Sequence, residues 1–378
     1  MRLFGGRRVR IAVVASVVAR YDAISLAVRD IARTFRDTGR FEVEVLAPRC
    51  DFFELRAHEV QDAAALEAHR AYRSADVRIF AFGVFSPLFD AVAHGDGRVP
   101  HIVQFHNVTP PEFVAPQQRA LVERSLRQLG TFRQVDRFWA VSPTNADDLI
   151  ARGIARERIE VIPLAVDRPA AAAIAHKPAL PVRLLFLGRL VPSKGPQDLI
   201  EAIDLARRRT TIPFQLDIAG NEEYSDPAHV AAVKAAVIQR GLSSVVRFAG
   251  AVADARLDEL FHAAHLLVIP SYHEGFCRPV IEGLRAGSIP VGYAAYNLPV
   301  IARGLGRMVP TGDRAALAAA LVELISTLGA GGSRHLRLDG GTLDLAAFDR
   351  AAQDYAKEFA PERVAARMVR SVQALLSR

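Results

Sequence analysis

The sequence predicts an α/β protein of two doubly wound parallel-sheet domains that enclose a cleft, and three observations carry that prediction. Short β-branched runs alternate with amphipathic helical patterns along nearly the whole chain, as parallel sheets require. The alternation stops in a polar, proline-containing stretch from Asp167 through Lys177-Pro178 to Pro181, which reads as a linker. With 378 residues the chain is long enough to build two cores. The expected domains are 1–175 and 180–360, followed by an amphipathic C-terminal helix over about 362–378.

In chain order, the first-domain strands are Ile11–Ala15, Phe41–Leu46, Val77–Phe82, His101–Phe105, Arg137–Val141 and Ile159–Ile162. Arg7-Arg8-Val9-Arg10 followed by Ile11 to Ala19 imitates a signal peptide. The pattern Ile24, Ala27, Val28, Ile31, Ala32, Phe35 comes directly after it, so the run is read as a first strand feeding a helix. Beyond the linker the strands are Val182–Leu187, Phe214–Ala219, Val245–Ala249, Leu266–Ile269 and Ile289–Val291. Helices are expected near Gln197–Arg208, Pro227–Arg240 and Arg256–Ala264, and the glycine-rich segment Gly329–Gly341 as a surface excursion.

Composition narrows the function classes. Half the chain is apolar (51%) and a quarter charged (24%), which excludes a disordered or fibrous protein. The net charge of +7 is spread evenly over both halves, unlike a nucleic-acid-binding tail. It remains compatible with peripheral contact to an anionic membrane, and Arg2, Arg7, Arg8 and Arg10 cluster at one end. Only Cys50 and Cys277 are present, so there is no disulfide framework and a cytoplasmic location fits. No stretch reaches the roughly 18 apolar residues of a membrane-spanning helix.

The segment from Ser271 to Val291 is the most informative. Glu274 and Glu282 flank Gly275-Phe276-Cys277-Arg278-Pro279. The apolar run Leu266–Ile269 in front is bounded by Pro270, as a buried parallel strand is. Pro279 suits a helix first turn and Gly287 a helix end. Both glutamates therefore belong at the carboxyl end of a strand, where open α/β sheets bind ligands and helix N–H groups can donate to a phosphate. A second segment, Gly188-Arg189-Leu190-Val191-Pro192-Ser193-Lys194-Gly195, ends another strand with two cations. Arginine's planar fork and lysine's mobile charge together suit a pyrophosphate.

These two segments resemble the signature of the retaining GT-B glycosyltransferases of family 4, and the fold that resemblance implies is a pair of Rossmann-like domains. In the C-terminal half it is close; in the first half it is looser. It departs at Cys277 and Arg278, where a small and an aliphatic residue are usual, which bears on donor-sugar preference. The resemblance implies that Glu274 faces the donor sugar, that Glu282 binds the ribose, and that Arg189, Lys194 and the backbone of Gly275, Phe276 and Cys277 hold the phosphates. His106-Asn107-Val108-Thr109-Pro110 resembles a histidine-bearing loop facing the donor sugar, which implies a catalytic role for His106. Asn107, Thr109 and Asp22, the last in the first-loop stretch Tyr21–Ser25, are the matching positions for donor or acceptor contacts; Asp22 equally suits a helix cap. The resemblance further implies that the terminal helix packs back on the first, acceptor-side domain. Ala219-Gly220-Asn221 and Phe248–Val252 lie where backbone would approach the nucleoside.

Absences complete the reading. No two aspartates stand two residues apart, so the D-x-D metal clamp is missing, and no His/Cys spacing suggests zinc. The first strand is not followed by G-x-G-x-x-G, and no G-x-S-x-G elbow occurs. The expectation is a metal-independent, cofactor-free transfer of sugar from a nucleoside-diphosphate sugar to a lipid-linked or saccharide acceptor at the inner membrane face. An epimerase of the same architecture and a catalytically silent sugar-nucleotide-binding subunit are the alternatives.

Overall fold

The computed structural model describes residues 7–20, 22–95, 97–167, 173–223, 225–330 and 335–377. Arg2, Tyr21, the Ala-rich part of the expected linker (168–172) and part of the glycine-rich segment (331–334) lie outside the described residues. The chain divides into two units. One comprises Met1–Glu112, Pro116–Ala165 and Phe359–Arg378; the other comprises Phe113–Ala115 and Val166–Glu358. The boundary falls at Ala165 rather than near 175. The reason is local: the Ile174 N–H donates to Asp349 Oδ1 at 2.9 Å and Lys177 is buried, so this stretch belongs to the second unit.

The first unit carries β1 (Val9–Ala15), β2 (Phe41–Ala47), β3 (Ala57–Glu59), β4 (Val77–Phe82), β5 (His101–Phe105), β6 (Arg137–Ala140) and β7 (Ile159–Val161). They form one sheet in the order β3-β2-β1-β4-β5-β6-β7, parallel throughout. The helix Ala23–Asp37 buries Ala27, Val28, Ile31, Ala32 and Phe35, the stripe read from the sequence. The terminal helix Pro361–Leu376 adds Val364, Met368, Val372 and Leu375 to the same core. Full burial of each large side chain contributes about 1.5–3 kcal/mol. Trp139 Nε1 donates to Ser371 Oγ at 2.9 Å, and that hydroxyl donates to Glu160 at 2.6 Å, so the helix is also fixed in register.

The second unit repeats the plan. Its strands are β8 (Val182–Leu187), β9 (Phe214–Ala219), β10 (Val246–Gly250), β11 (Leu266–Ile269), β12 (Ile289–Tyr293) and β13 (Arg307–Val309). Their order is β10-β9-β8-β11-β12-β13, again parallel. In both sheets the winding reverses beside the first strand, between β1 and β4 and between β8 and β11. Such a reversal opens a crevice at the strands' carboxyl ends. The glycine-rich segment is more ordered than a plain excursion: β14 (His335–Leu338) and β15 (Gly341–Asp344) form an antiparallel hairpin that buries Leu336 and Leu338. From this hairpin Asp339 accepts the Met308 N–H at 2.8 Å, occupying an otherwise open group on edge strand β13. Among the described residues no helix is long and apolar enough to cross a membrane.

Candidate active site

Two loops rise side by side where the second sheet reverses. One runs from the end of β8 through Gly188–Gly195 to the helix Pro196–Arg207; the other runs from β11 through Pro270–Cys277 to the helix Arg278–Arg285. They are held at contact distance. The Tyr272 N–H donates to Ser193 O at 2.9 Å. Gly195 has φ +64°, and a Cβ there would lie 2.0 Å from Pro270 O, so only glycine lets the loops approach this closely. The Phe276 carbonyl accepts from Asn297 Nδ2 at 3.2 Å, bracing the second loop from behind. Cys277, the helix-capping residue, takes the left-handed conformation at φ 70° and makes no side-chain capping bond.

The side chains converge. Lys194 Nζ donates to Glu274 Oε1 at 2.6 Å, and Ser271 Oγ donates to the same oxygen at 2.8 Å. Glu274 and Glu282 are both buried, at 9% and 8% exposure, an unusual place for carboxylates unless a partner is supplied. The Cys277 thiol is pushed well above its ordinary pKa by burial and then by the Glu274 carboxylate, against the pull of Lys194, with Glu282 also raising it. Lys194, Glu274, Cys277 and Glu282 thus share one electrostatic neighbourhood. Gly275 is half-buried and Phe276 buried on the same loop. Arg189 is exposed at the head of the first loop, and its side chain makes no hydrogen bond or ion pair among the described residues.

The first unit places its candidates differently. His106 follows β5, half-buried, with its N–H bonded to Phe82 O at 2.9 Å and Nε2 lying 2.8 Å from Gln104 Oε1. Burial drives its pKa down to about 3, so the ring is neutral at physiological pH. Asn107 has φ 91°, and the loop it bends packs on Gly83, where a Cβ would sit 3.4 Å from His106 Cβ. Thr109 is half-buried further along the same loop. Asp22 caps the helix Ala23–Asp37: its carboxylate accepts from Ser25 N at 2.8 Å and Ser25 Oγ at 2.7 Å. That is the capping alternative of the sequence reading, in stereochemical detail.

Sequence reasoning passed over Ser271, Asn297 and Gln104, which brace these residues, and Asp198, which binds Tyr272. Ser271 could have been found, since it stands three residues before Glu274 within the same loop. Among the described residues no group of three or more His, Cys, Asp or Glu is arranged to hold a metal ion.

Comparison with known proteins follows the same division. Residues 168–328 match the family model described as glycosyl transferases group 1, and residues 24–168 match that of glycosyltransferase family 4. A D-inositol 3-phosphate glycosyltransferase of Streptomyces coelicolor is 32% identical over 171 residues, 41% of this chain and 36% of that protein. The chain thus spans about a third of that curated relative's length. Among solved structures, a sucrose-phosphate synthase from Thermosynechococcus elongatus superposes with a TM-score of 0.76 at 19% identity, covering 97% of this chain and 99% of that one. Anabaena HepE, solved in complex with UDP, superposes at 0.73 and 18% identity, covering 97% and 100%. These two likenesses concern the fold, which is GT-B.

Proposed function

The chain belongs to the glycosyl transferases of group 1, and from that premise we propose that it moves a sugar from a nucleoside-diphosphate sugar to an acceptor hydroxyl, with retention and without a metal. The observation that carries this reading is the Lys194–Glu274 pair at 2.6 Å, set at the sheet reversal beside buried Glu282. In this reading the buried carboxylate of Glu274 serves the sugar, the Lys194 cation the phosphates and the Glu282 carboxylate the ribose.

As the glycosyl bond loosens, the sugar gains oxocarbenium character and the diphosphate gains charge. Arg189, exposed at the head of its loop, and Lys194 meet that charge, together with N–H groups of Gly275–Cys277 at the helix start. Two cations, Lys194 held by Glu274 and Arg189 exposed beside it in sequence, do the work a metal does elsewhere, which is the basis for metal independence. Glu282 grips the ribose hydroxyls and Glu274 the sugar. His106 orients the donor sugar as a neutral hydrogen-bonding group, since its low pKa denies it a positive charge. The UDP complex of HepE supports a nucleoside diphosphate as the handle. The acceptor is a saccharide or lipid-linked hydroxyl in cell-surface polysaccharide or glycolipid assembly, met at the inner membrane face.

The test is turnover by the full chain. With UDP-, GDP- or ADP-sugars, one donor should be hydrolysed slowly to free nucleoside diphosphate, at an undiminished rate in excess EDTA. Binding without any release identifies a silent sugar-nucleotide-binding subunit instead. Magnesium-reversible loss of activity in EDTA overturns the metal-free assignment.

A further inference from the structure

Asp198 lies in the first turn of the helix that follows Lys194 and Gly195, and it is 5% exposed. Its partners come from three other segments at the carboxyl ends of the same sheet. Tyr272 OH, from the β11 loop, donates to Oδ2 at 2.5 Å, and Tyr293 OH, at the end of β12, donates to Oδ2 at 2.8 Å. Arg314, at the start of the helix after β13, donates from Nε to Oδ1 at 2.9 Å and from Nη1 to Glu201 at 2.6 Å. The Tyr272 and Tyr293 rings also meet edge to face at 5.5 Å. Burial, and then the Asp198 carboxylate, push the Tyr272 hydroxyl up to about 12, so it stays a donor over the whole working pH range.

A buried carboxylate with three donors is a costly means of stability alone, because an apolar cluster of the same volume serves as well or better. What it supplies is geometry. Tyr272 stands two residues before Glu274, and Asp198 four residues after Lys194. The carboxylate therefore ties the loop of one site residue to the helix that follows the other, behind the Lys194–Glu274 pair. We propose that Asp198 is a positioning residue of the donor site, fixing Glu274 against Lys194 through Tyr272 and Tyr293, with Arg314 as its counter-charge.

This inference rests on the donor-binding reading above, and its test separates the two. The full chain is titrated calorimetrically with UDP, GDP and ADP, and the tightest ligand is carried into a double-mutant cycle of Asp198→Asn with Lys194→Ala. Asp198→Asn alone should weaken binding about threefold to tenfold, and in the Lys194→Ala background less than about twofold, because both changes act on one unit. A merely structural Asp198 gives the same fold-loss in both backgrounds, or a lowered melting temperature with unchanged affinity in the folded fraction; either result overturns the proposal. If Asp198→Asn does not fold, Tyr272→Phe and Tyr293→Phe each delete one hydroxyl and enter the same cycle. A wild-type chain that binds none of the three nucleotides overturns the donor-site reading, and this inference with it.

Discussion

Two of the chain's four lysines are withdrawn from solvent in the second unit, and they are held in opposite ways. Lys194 keeps 24% of its side chain exposed and faces a carboxylate, Glu274. Lys177 is 6% exposed and faces neutral oxygens: the carbonyls of Phe261 and Ala264 at the end of the helix Asp254–Ala263, and Ser288 Oγ at 3.4 Å. Burial drives the Lys177 pKa down to about 7, with Asp349 opposing. The lesson is that carbonyls at a helix end accept an ammonium's hydrogen bonds without repaying its lost hydration. A carboxylate instead offers an ammonium an opposite charge, and Lys194 keeps part of its side chain open to solvent beside it. Lys177 is thus a brace that caps a helix, and Lys194 the cation proposed above for the donor phosphates.

The largest effect should break that comparison outright. Lys194→Ala should weaken nucleoside-diphosphate binding about tenfold to a hundredfold, the worth of one charge-assisted hydrogen bond. Lys177→Met should leave that affinity unchanged while altering the unfolding midpoint. Isothermal titration of both variants on one ligand checks this, and equal losses would erase the distinction. Arg189→Ala should resemble Lys194→Ala in affinity but not in stability, since its side chain braces nothing among the described residues.

A smaller effect sharpens the comparison through pH. The folded-state pKa of Lys177 is depressed from its ordinary 10.5 to about 7. Its contribution to stability is therefore present above the unfolded value and lost as pH falls toward 7. Between pH 7 and pH 10 the wild type should gain stability relative to Lys177→Met, and below pH 7 the two should run parallel. Urea denaturation at pH 7 and 9.5 measures the difference; parallel behaviour across the whole range would mean Lys177 keeps its proton throughout.

The smallest effect concerns the first unit. His106 has its folded pKa lowered from 6.5 to about 3 by burial, so its contribution is present above pH 6.5 and lost as pH falls toward 3. Thermal melts at pH 6.5 and pH 4.5 should show the wild type losing more stability on acidification than His106→Gln. Equal losses would show that the ring is solvated enough to protonate freely in the folded state.

Legibility followed burial. Leu266–Ile269 was readable because a strand covered on both faces is continuously apolar and Pro270 marks its end. β3 (Ala-His-Glu) and β13 (Arg-Met-Val) were not, being three-residue strands at sheet edges with no apolar run. Glu274 and Glu282 were visible as a pair because one loop and one helix turn carry both. Asp198 was invisible because Tyr272, Tyr293 and Arg314 are 74, 95 and 116 residues away and none of them forms a local pattern with it.

The sequence by itself determined two parallel-sheet halves, the strands beside each sheet reversal and the loop each candidate residue sits on, because periodicity, proline and glycine act within a few residues. Only the tertiary structure decided which charges meet. Lys194 finds Glu274 across 80 residues of chain, while Lys177, read from the sequence as part of the linker, turns to the end of a helix. A lysine's chemistry is set by the oxygens that replace its water, and those arrive from elements distant in sequence once the sheet has closed around them.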